Sequence, residues 1–304
     1  ASGHRHYPPG LHRPMSRRRA TLIGFGAVLL WSLLALFTVG SAPVPPFLLN
    51  AITFSIGGAI GLAWIAATGG FHRLRGVGWG VYAFGTAGRF GYHALYFSAL
   101  RLAPPAEAGL IAYLWPLFIV LLSGLLPGES LRRGHVAGAV LAFCGAALIV
   151  LRGGSAGFAT ESIAGLGLAF LCALTWAGYS VLSRRLGQVP TESVAVFCIL
   201  TALLSALAHV LTEDTVWPPH ALAWASCVAL GIGPVGIAFY VWDLGVKKGD
   251  IQMLGVASYA APLLSTLALI AAGFATATPV LVLAAVLIAG GAAVAARAAR
   301  PRQD

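Results

Sequence analysis

The stretch GLIAYLWPL, residues 109–117, returns 146 positions later as GVASYAAPL, residues 255–263, with Gly109, Tyr113 and Pro116 matched by Gly255, Tyr259 and Pro262. The same offset, with no gap, pairs Tyr96 with Trp242 and the run Gly145-Ala146-Ala147 with Gly291-Ala292-Ala293. A register held from residue 96 to residue 147 marks an internal duplication, so the fold is expected to be one unit used twice.

Composition says what that unit is. Hydrophobic residues make up 59% of the 304, charged residues only 9%, and the mean hydropathy is +0.86, too apolar for a soluble domain. A hydrocarbon core of about 30 Å takes roughly 20 apolar residues as helix. Such spans are predicted at 20–39, 46–67, 77–99, 104–126, 134–151, 162–183, 190–211, 221–242, 249–272 and 278–297. Barrel strands would instead alternate in segments of roughly ten residues. The prediction is an all-α integral membrane protein of ten transmembrane helices, with no separate soluble domain.

The formal charge of +10 is distributed by loop. One set of loops carries Arg5, Arg13, Arg17, Arg18 and Arg19 in the N-terminal tail, then Arg73/Arg75, Arg132/Arg133, Arg184/Arg185 and Lys247/Lys248, then Arg297, Arg300 and Arg302. The opposite loops hold only Arg101 and Arg152, a sixteen-to-two split, and Arg89 alone lies inside a span. That is the positive-inside pattern, and it places both termini in the cytoplasm of a cell with the chain in its cytoplasmic (inner) membrane. The basicity is topological, so no nucleic-acid partner is expected. With five helices per copy, an odd number, the second copy enters the membrane upside down, and inverted repeats are the geometric basis of alternating access around a site where the halves meet.

The chain divides into a leader at 1–14, a first repeat at 15–151 (helices 1–5), an external Gly-rich linker at 152–161, and a second repeat at 162–304 (helices 6–10) with its cytoplasmic tail. The leader ASGHRHYPPGLHRP has neither helix nor signal-peptide character, and Met15-Ser-Arg-Arg-Arg reads as a natural start, making the leader a disordered extension. Cys144, Cys172, Cys198 and Cys227 sit singly, with no ligand spacing, so neither a metal nor a cofactor is expected.

This pattern resembles the EamA family of the drug/metabolite transporter superfamily. Pro116 followed by Gly128-Glu129 is similar to the family's first-half hallmark, whereas the second half keeps Pro262 but has Gly273-Phe274 where Gly-Glu would be expected. More narrowly, Tyr113-Leu114-Trp115-Pro116, Ala94-Leu95-Tyr96 and Ser258-Tyr259 with Pro262 resemble the aromatic amino acid exporters of that family. The resemblance covers residues 20–297 and implies a central cavity ringed by helices 1, 3, 4, 6, 8 and 9, with Tyr113, Trp115, Ser258 and Tyr259 in its wall.

The intramembrane polar residues can be read independently. Arg89, Tyr92, His93 and Tyr96 recur three and four apart on helix 3, giving a polar and aromatic stripe that should avoid lipid. Trp31 on helix 1 and Trp176 and Tyr179 on helix 6 are placed similarly, on helices equivalent in the two copies. Trp31, Tyr113, Trp115 and Trp176 either touch substrate or pack. Arg89, near mid-span, either meets a substrate carboxylate or bonds structurally, and His93 either takes part or is a hydrogen-bonded core residue. Pro116 removes the hydrogen bond to the Ala112 carbonyl and Pro262 that to Ser258, offering acceptors to a substrate ammonium along with the hydroxyls of Ser258, Tyr113 and Tyr259, or else both prolines merely kink their helices. Pro116, Pro234 and Pro262, with Gly85, Gly88, Gly91 and Gly109, are the expected bending points.

None of the nine acidic residues falls mid-membrane in these spans, which favours facilitated diffusion over proton drive. Gly134, Gly138, Ala142 and Ala146 on helix 5, and Ala285, Ala289, Ala293 and Ala296 on helix 10, allow close helix approach within a monomer, the favoured state, or across a homodimer. The expected activity is amino-acid transport, mainly export, of aromatic and other neutral amino acids. The rivals are export of another small metabolite or drug, a sugar-phosphate or nucleotide-sugar antiporter, for which Arg89 alone supplies too little charge, and a membrane-embedded enzyme, for which no nucleophile or acid/base set is present.

Overall fold

The computed structural model describes residues 15–103, 105–151, 162–273 and 276–299; the leader at 1–14, the linker at 152–161, Phe274 and the tail beyond residue 299 lie outside the described residues. Within them every regular element is helical. In chain order they are α1 (Arg17–Trp31), α2 (Leu34–Gly40), α3 (Pro46–Thr68), α4 (Trp79–Leu102), α5 (Pro105–Ala112), α6 (Trp115–Ser123), α7 (Arg133–Val150), α8 (Ile163–Arg185), α9 (Ser193–Thr212), α10 (Ala221–Ile232), α11 (Ala238–Lys248), α12 (Ile251–Ala257), α13 (Ala260–Ala271) and α14 (Pro279–Ala299).

Among the described residues, seven helical stretches are long and apolar enough to cross a membrane, and two shorter apolar helices, Ala108–Ser123 and Arg133–Ile149, accompany them. The expected spans not among the seven are the third (α4), the fourth (α5 and α6) and the fifth (α7). α4 is 24 residues long, but the stripe of Arg89, Tyr92, His93 and Tyr96 and its glycines lower its hydropathy. The fourth span is broken at Tyr113-Leu114, two residues before Pro116, leaving α5 and α6 as short pieces. The second copy breaks at the matching place, Ser258-Tyr259, before Pro262. Pro234 opens a five-residue π turn, Gly233–Ile237, between α10 and α11, a form that recurs at functional sites.

The helices pair almost entirely across the two copies: α1 with α11, α4 with α8, α3 with α9 and α7 with α14. Exchanging the copies maps these pairs onto one another, so the duplication seen in sequence is also a packing symmetry. In the α7–α14 pair, a Cβ on Gly138 would lie 2.5 Å from the Gly291 carbonyl and one on Gly134 2.7 Å from Ala298, so these small residues close within one chain. The surface of α14 that packs is Ala284, Ile288, Gly291 and Ala295, not the expected stripe through Ala289 and Ala293, which are exposed.

One relation departs from this symmetry. α6 packs on α12, where a Cβ on Gly255 would sit 3.1 Å from the Pro116 carbonyl and 3.0 Å from Val120. The counterpart pair, α5 and α13, makes no comparable packing among the described residues. The two broken spans therefore meet at one end and splay toward the other.

Loop contacts sort into the same two ends. At the closed end Glu129 accepts from Arg17 at 3.1 Å and from Arg184, Arg17 also reaches Asp250 at 3.5 Å, and Arg184 donates to the carbonyls of Val246 (2.9 Å) and Gly249 (2.7 Å). Arg73 with Glu192 (2.6 Å) and Arg132 with the Ala298 carbonyl (2.7 Å) belong to this end. At the other end Glu213 accepts from the α3 backbone N–H groups of Phe47 (3.0 Å) and Leu48 (3.2 Å), from His209 (2.9 Å) and from Arg101 (3.4 Å). A carboxylate at a helix N-terminus satisfies orphan donors there.

Candidate functional site

The breaks and the π turn bring four tryptophans together from both copies. Trp31 ends α1, Trp115 opens α6, and Trp176 and Trp242 lie within α8 and α11. The Trp31 ring centroid is 6.1 Å from Trp115, 6.0 Å from Trp176 and 5.0 Å from Trp242, and Trp115 is 5.8 Å from Trp242. Edge-on and tilted rings at such separations gain about 0.5–1.5 kcal/mol per pair beyond burial. Two of their polar handles are satisfied: the Trp31 indole N–H donates to the Pro234 carbonyl at 3.0 Å, inside the π turn, and that of Trp242 to Ser180 Oγ at 3.1 Å.

Other rings extend the cluster. Tyr92 lies 5.8 Å from Trp176 and stacks on Tyr96 at 6.1 Å, Phe239 lies 5.6 Å from Trp176, and Phe54 stacks on Phe239 at 5.4 Å and meets His93 edge-on at 5.3 Å. Burial grades along α4. Tyr92, His93 and Tyr96 are half-buried, while Arg89, Gly88 and Gly85, nearer the Arg73 end, are buried. Trp31 and Tyr113 are also half-buried, and Trp115, Trp176, Tyr179 and Trp242 are buried. The ring cluster is thus most deeply buried toward the Glu129 end and more exposed toward the Arg101 and Glu213 end, the direction in which α5 and α13 diverge.

At the buried end lies Arg89, with none of its surface exposed. Its guanidinium carbon sits 4.8 Å from the Tyr179 ring centroid and 5.0 Å from those of Phe197 and Phe239. Gly85 and Gly88 permit this, since a Cβ at either would lie 2.5 Å from the Phe197 or the Tyr179 ring. One nitrogen, Nη1, donates to the Gly85 carbonyl (3.2 Å) and to the Tyr179 hydroxyl (2.8 Å). Nε and Nη2 have no hydrogen-bond partner, and no carboxylate is within ion-pair distance among the described residues. Three cation–π contacts offset part of the cost of burying this charge.

One further charge appears on α11. Asp243, expected to fall just past its span, is buried at 1% exposure inside the helix. Its Oδ2 accepts from Lys247 (2.8 Å) and Thr191 (2.9 Å), and its Oδ1 has no partner.

Of the residues singled out in the sequence, Trp31, Arg89, Tyr92, His93, Tyr96, Trp115, Trp176 and Tyr179 join this one cluster, while half-buried Tyr113 packs beside it, against the group that holds Tyr259 and Val256. Ser258 and Tyr259 do not join it. Tyr259 is wholly buried beside Phe143 (5.9 Å), and its hydroxyl accepts from the Leu117 N–H at 3.1 Å, a donor stranded by the break before Pro116. Ser258 Oγ donates to the Leu254 carbonyl at 2.7 Å, and its own carbonyl, expected to be free, accepts from Ala261 at 3.1 Å. The His93 ring Nδ1 is 2.8 Å from the Arg89 carbonyl and so carries its proton there. Gly85 and Gly88 serve close ring approach.

Sequence reading passed over Trp242 and Phe239 as cluster members. The signal was present in the 146-residue offset, which sets Trp242 against Tyr96 and Phe239 against His93. Phe54 and Phe197 carried no such mark.

Comparison with known proteins follows the same lines. The sequence profile of the EamA-like transporter family matches residues 18–151 and 163–297, one copy in each half. A protein of Ancylobacter novellus named aromatic amino acid exporter YddG is 58% identical over 288 residues, covering 94% of this chain and 100% of that protein. The Escherichia coli K12 protein of the same name is 27% identical over 275 residues, covering 83% and 88%. A crystal structure 57% identical in sequence superposes with a TM-score of 0.90, covering 94% of this chain and 99% of its own.

Proposed function

From the premise that the chain belongs to the EamA-like transporter family, we propose that it exports aromatic and other neutral amino acids by alternating access, with the aromatic chamber as the binding site. The observation that carries this reading is the four-tryptophan cluster drawn from α1, α6, α8 and α11, because those are the elements that must move relative to one another if one end opens as the other closes. Trp31, Tyr92, Tyr96, Tyr113, Trp115 and Trp176 would hold an apolar side chain by their ring surfaces, which suits a broad range of neutral residues. Close relatives named as aromatic amino acid exporters support the substrate class.

Ten spans arranged as two inverted sets of five, with both termini in the cytoplasm of the inner membrane, fit the contacts of the described loops: Arg17, Arg132 and Arg184, expected inside, bond at the Glu129 end, and Arg101 and the start of α3, expected outside, bond to Glu213. In this frame the described state is closed to the cytoplasm and open outward. The drive is facilitated diffusion, since Asp243, the buried carboxylate in α11, is already neutralised by Lys247. A monomer suffices, because the small residues of α7 are used up against α14.

Counterflow of labelled phenylalanine, tryptophan and leucine in proteoliposomes tests the reading. Exchange of the aromatic amino acids is expected, and the absence of exchange for all three would overturn it.

A further inference from the structure

Two buried charged side chains carry unused hydrogen-bonding capacity and lie on the same path through the molecule. On Arg89 the unspent groups are Nε and Nη2, which together form one edge of the guanidinium. That edge presents two parallel N–H donors, the side-on fork that fits the two oxygens of a carboxylate. On Asp243 the unspent group is Oδ1, a carboxylate oxygen able to accept from an ammonium. Both residues are buried, at 0% and 1% exposure, where an unmet donor or acceptor is costly.

They are neighbours by construction. The Arg89 guanidinium carbon lies 5.0 Å from the Phe239 ring, and Asp243 follows Phe239 by one helical turn on α11. Tyr179, on α8, bonds to Arg89 at 2.8 Å, and α8 packs on α11. Along α4, α8 and α11 both charges fall on the Glu129 side of the tryptophan cluster, the half of the path that is shut in the described state.

We propose that Arg89 and Asp243 form a zwitterion-recognition subsite on the inner half of the path, the fork of Arg89 taking the α-carboxylate of an amino acid and Oδ1 of Asp243 its α-ammonium. The inference rests on the reading that the cargo is an amino acid, and it adds that the cargo is selected by its head group as the inner half opens, before the side chain settles among the aromatic rings. A site of this kind accepts many side chains and rejects molecules that lack either charge, because one of its buried groups would then be left unpaired. Lys247 and Thr191 hold the other oxygen of Asp243 and so fix the direction of Oδ1.

The test is competition against phenylalanine counterflow in proteoliposomes of the intact chain, using phenethylamine, which lacks the carboxylate, and N-acetylphenylalanine, which lacks the ammonium. In the wild type both competitors should be weaker than unlabelled phenylalanine by at least roughly tenfold. Arg89→Gln should narrow the margin against phenethylamine, Arg89→Lys should restore part of it, and Asp243→Asn should narrow the margin against N-acetylphenylalanine alone. Wild-type competition by either analogue equal to that of phenylalanine overturns the subsite while leaving amino-acid export standing. So does a uniform loss for all three compounds in Arg89→Gln and Asp243→Asn, which would mark the two charges as structural partners. A wild type that exchanges no phenylalanine overturns the export reading itself.

Discussion

The Glu129-end and Glu213-end halves of the two broken spans contain the same kind of helix yet behave differently. α6 and α12 approach until a Cβ on Gly255 would be tight, 3.1 Å from the Pro116 carbonyl and 3.0 Å from Val120, while α5 and α13 make no comparable packing among the described residues. Since the duplication makes the copies alike, an end-to-end difference of this sort reflects a state of the molecule and not its construction. In the proposed alternating-access cycle it is one member of a pair, and the other is reached by parting the halves at the Glu129 end and bringing those at the Glu213 end together.

Four changes would break or sharpen that contrast. The largest effect is expected of Trp115→Ala, which removes the ring that begins α6 and lines the chamber. Loss of a buried tryptophan costs about 3–5 kcal/mol, and exchange should fall by roughly tenfold or more while the protein still inserts and purifies. Wild-type exchange from both Trp115→Ala and Tyr113→Ala would remove the chamber as the site. Next is Gly255→Val, where added methyls must push α12 off α6 at a cost of about 1–3 kcal/mol. Its signature is greater reactivity of thiols introduced at the Glu129 end toward a membrane-impermeant reagent, and unchanged labelling would mean that the contact does not close the path.

The third compares the matched tyrosines. Tyr259→Phe strands the Leu117 N–H and should lower thermal stability by about 1–3 kcal/mol, whereas Tyr113→Phe, at the equivalent half-buried position, should stay within about 0.5 kcal/mol. Equal melting shifts in the two variants would show that the copies share one structural role there. The smallest effect is none: a pH gradient imposed across proteoliposomes should leave amino-acid flux unaltered, and sustained uphill export driven by protons alone would reassign Asp243 or His93 as a proton carrier.

How far the chain could be read in advance depended on what each feature leaves in a one-dimensional record. Duplication, helical class and the stripe on α4 are periodicities, and they were legible. The π turn at Gly233–Ile237 was marked only by Pro234, because a register slip within a continuous apolar run leaves the run unchanged. The family resemblance implies a cavity-wall place for Tyr259, yet a hydroxyl that caps the neighbouring copy's broken helix is a relation between copies, invisible within either. Asp243 was placed one residue outside its span, since α11 runs on to Lys248 and the aspartate is carried inside by pairing with Lys247 four residues later. The side-on fork of Arg89 depends on which nitrogens are already occupied, and that is decided by Gly85 and Tyr179 from two different helices.

Glu129 gives the last point, in terms of time. A single carboxylate holds Arg17 from the first copy and Arg184 from the second, and the 146-residue offset sets an alanine, Ala275, against it in the sequence of the second copy. Glu213 at the other end binds α3, α9 and Arg101 without crossing between the splayed spans. The two doors of the molecule are therefore of unequal weight. In the proposed cycle the Glu129 end must give up a carboxylate shared by two arginines before it opens, so that tie would prolong the wait of an unloaded molecule in the described state.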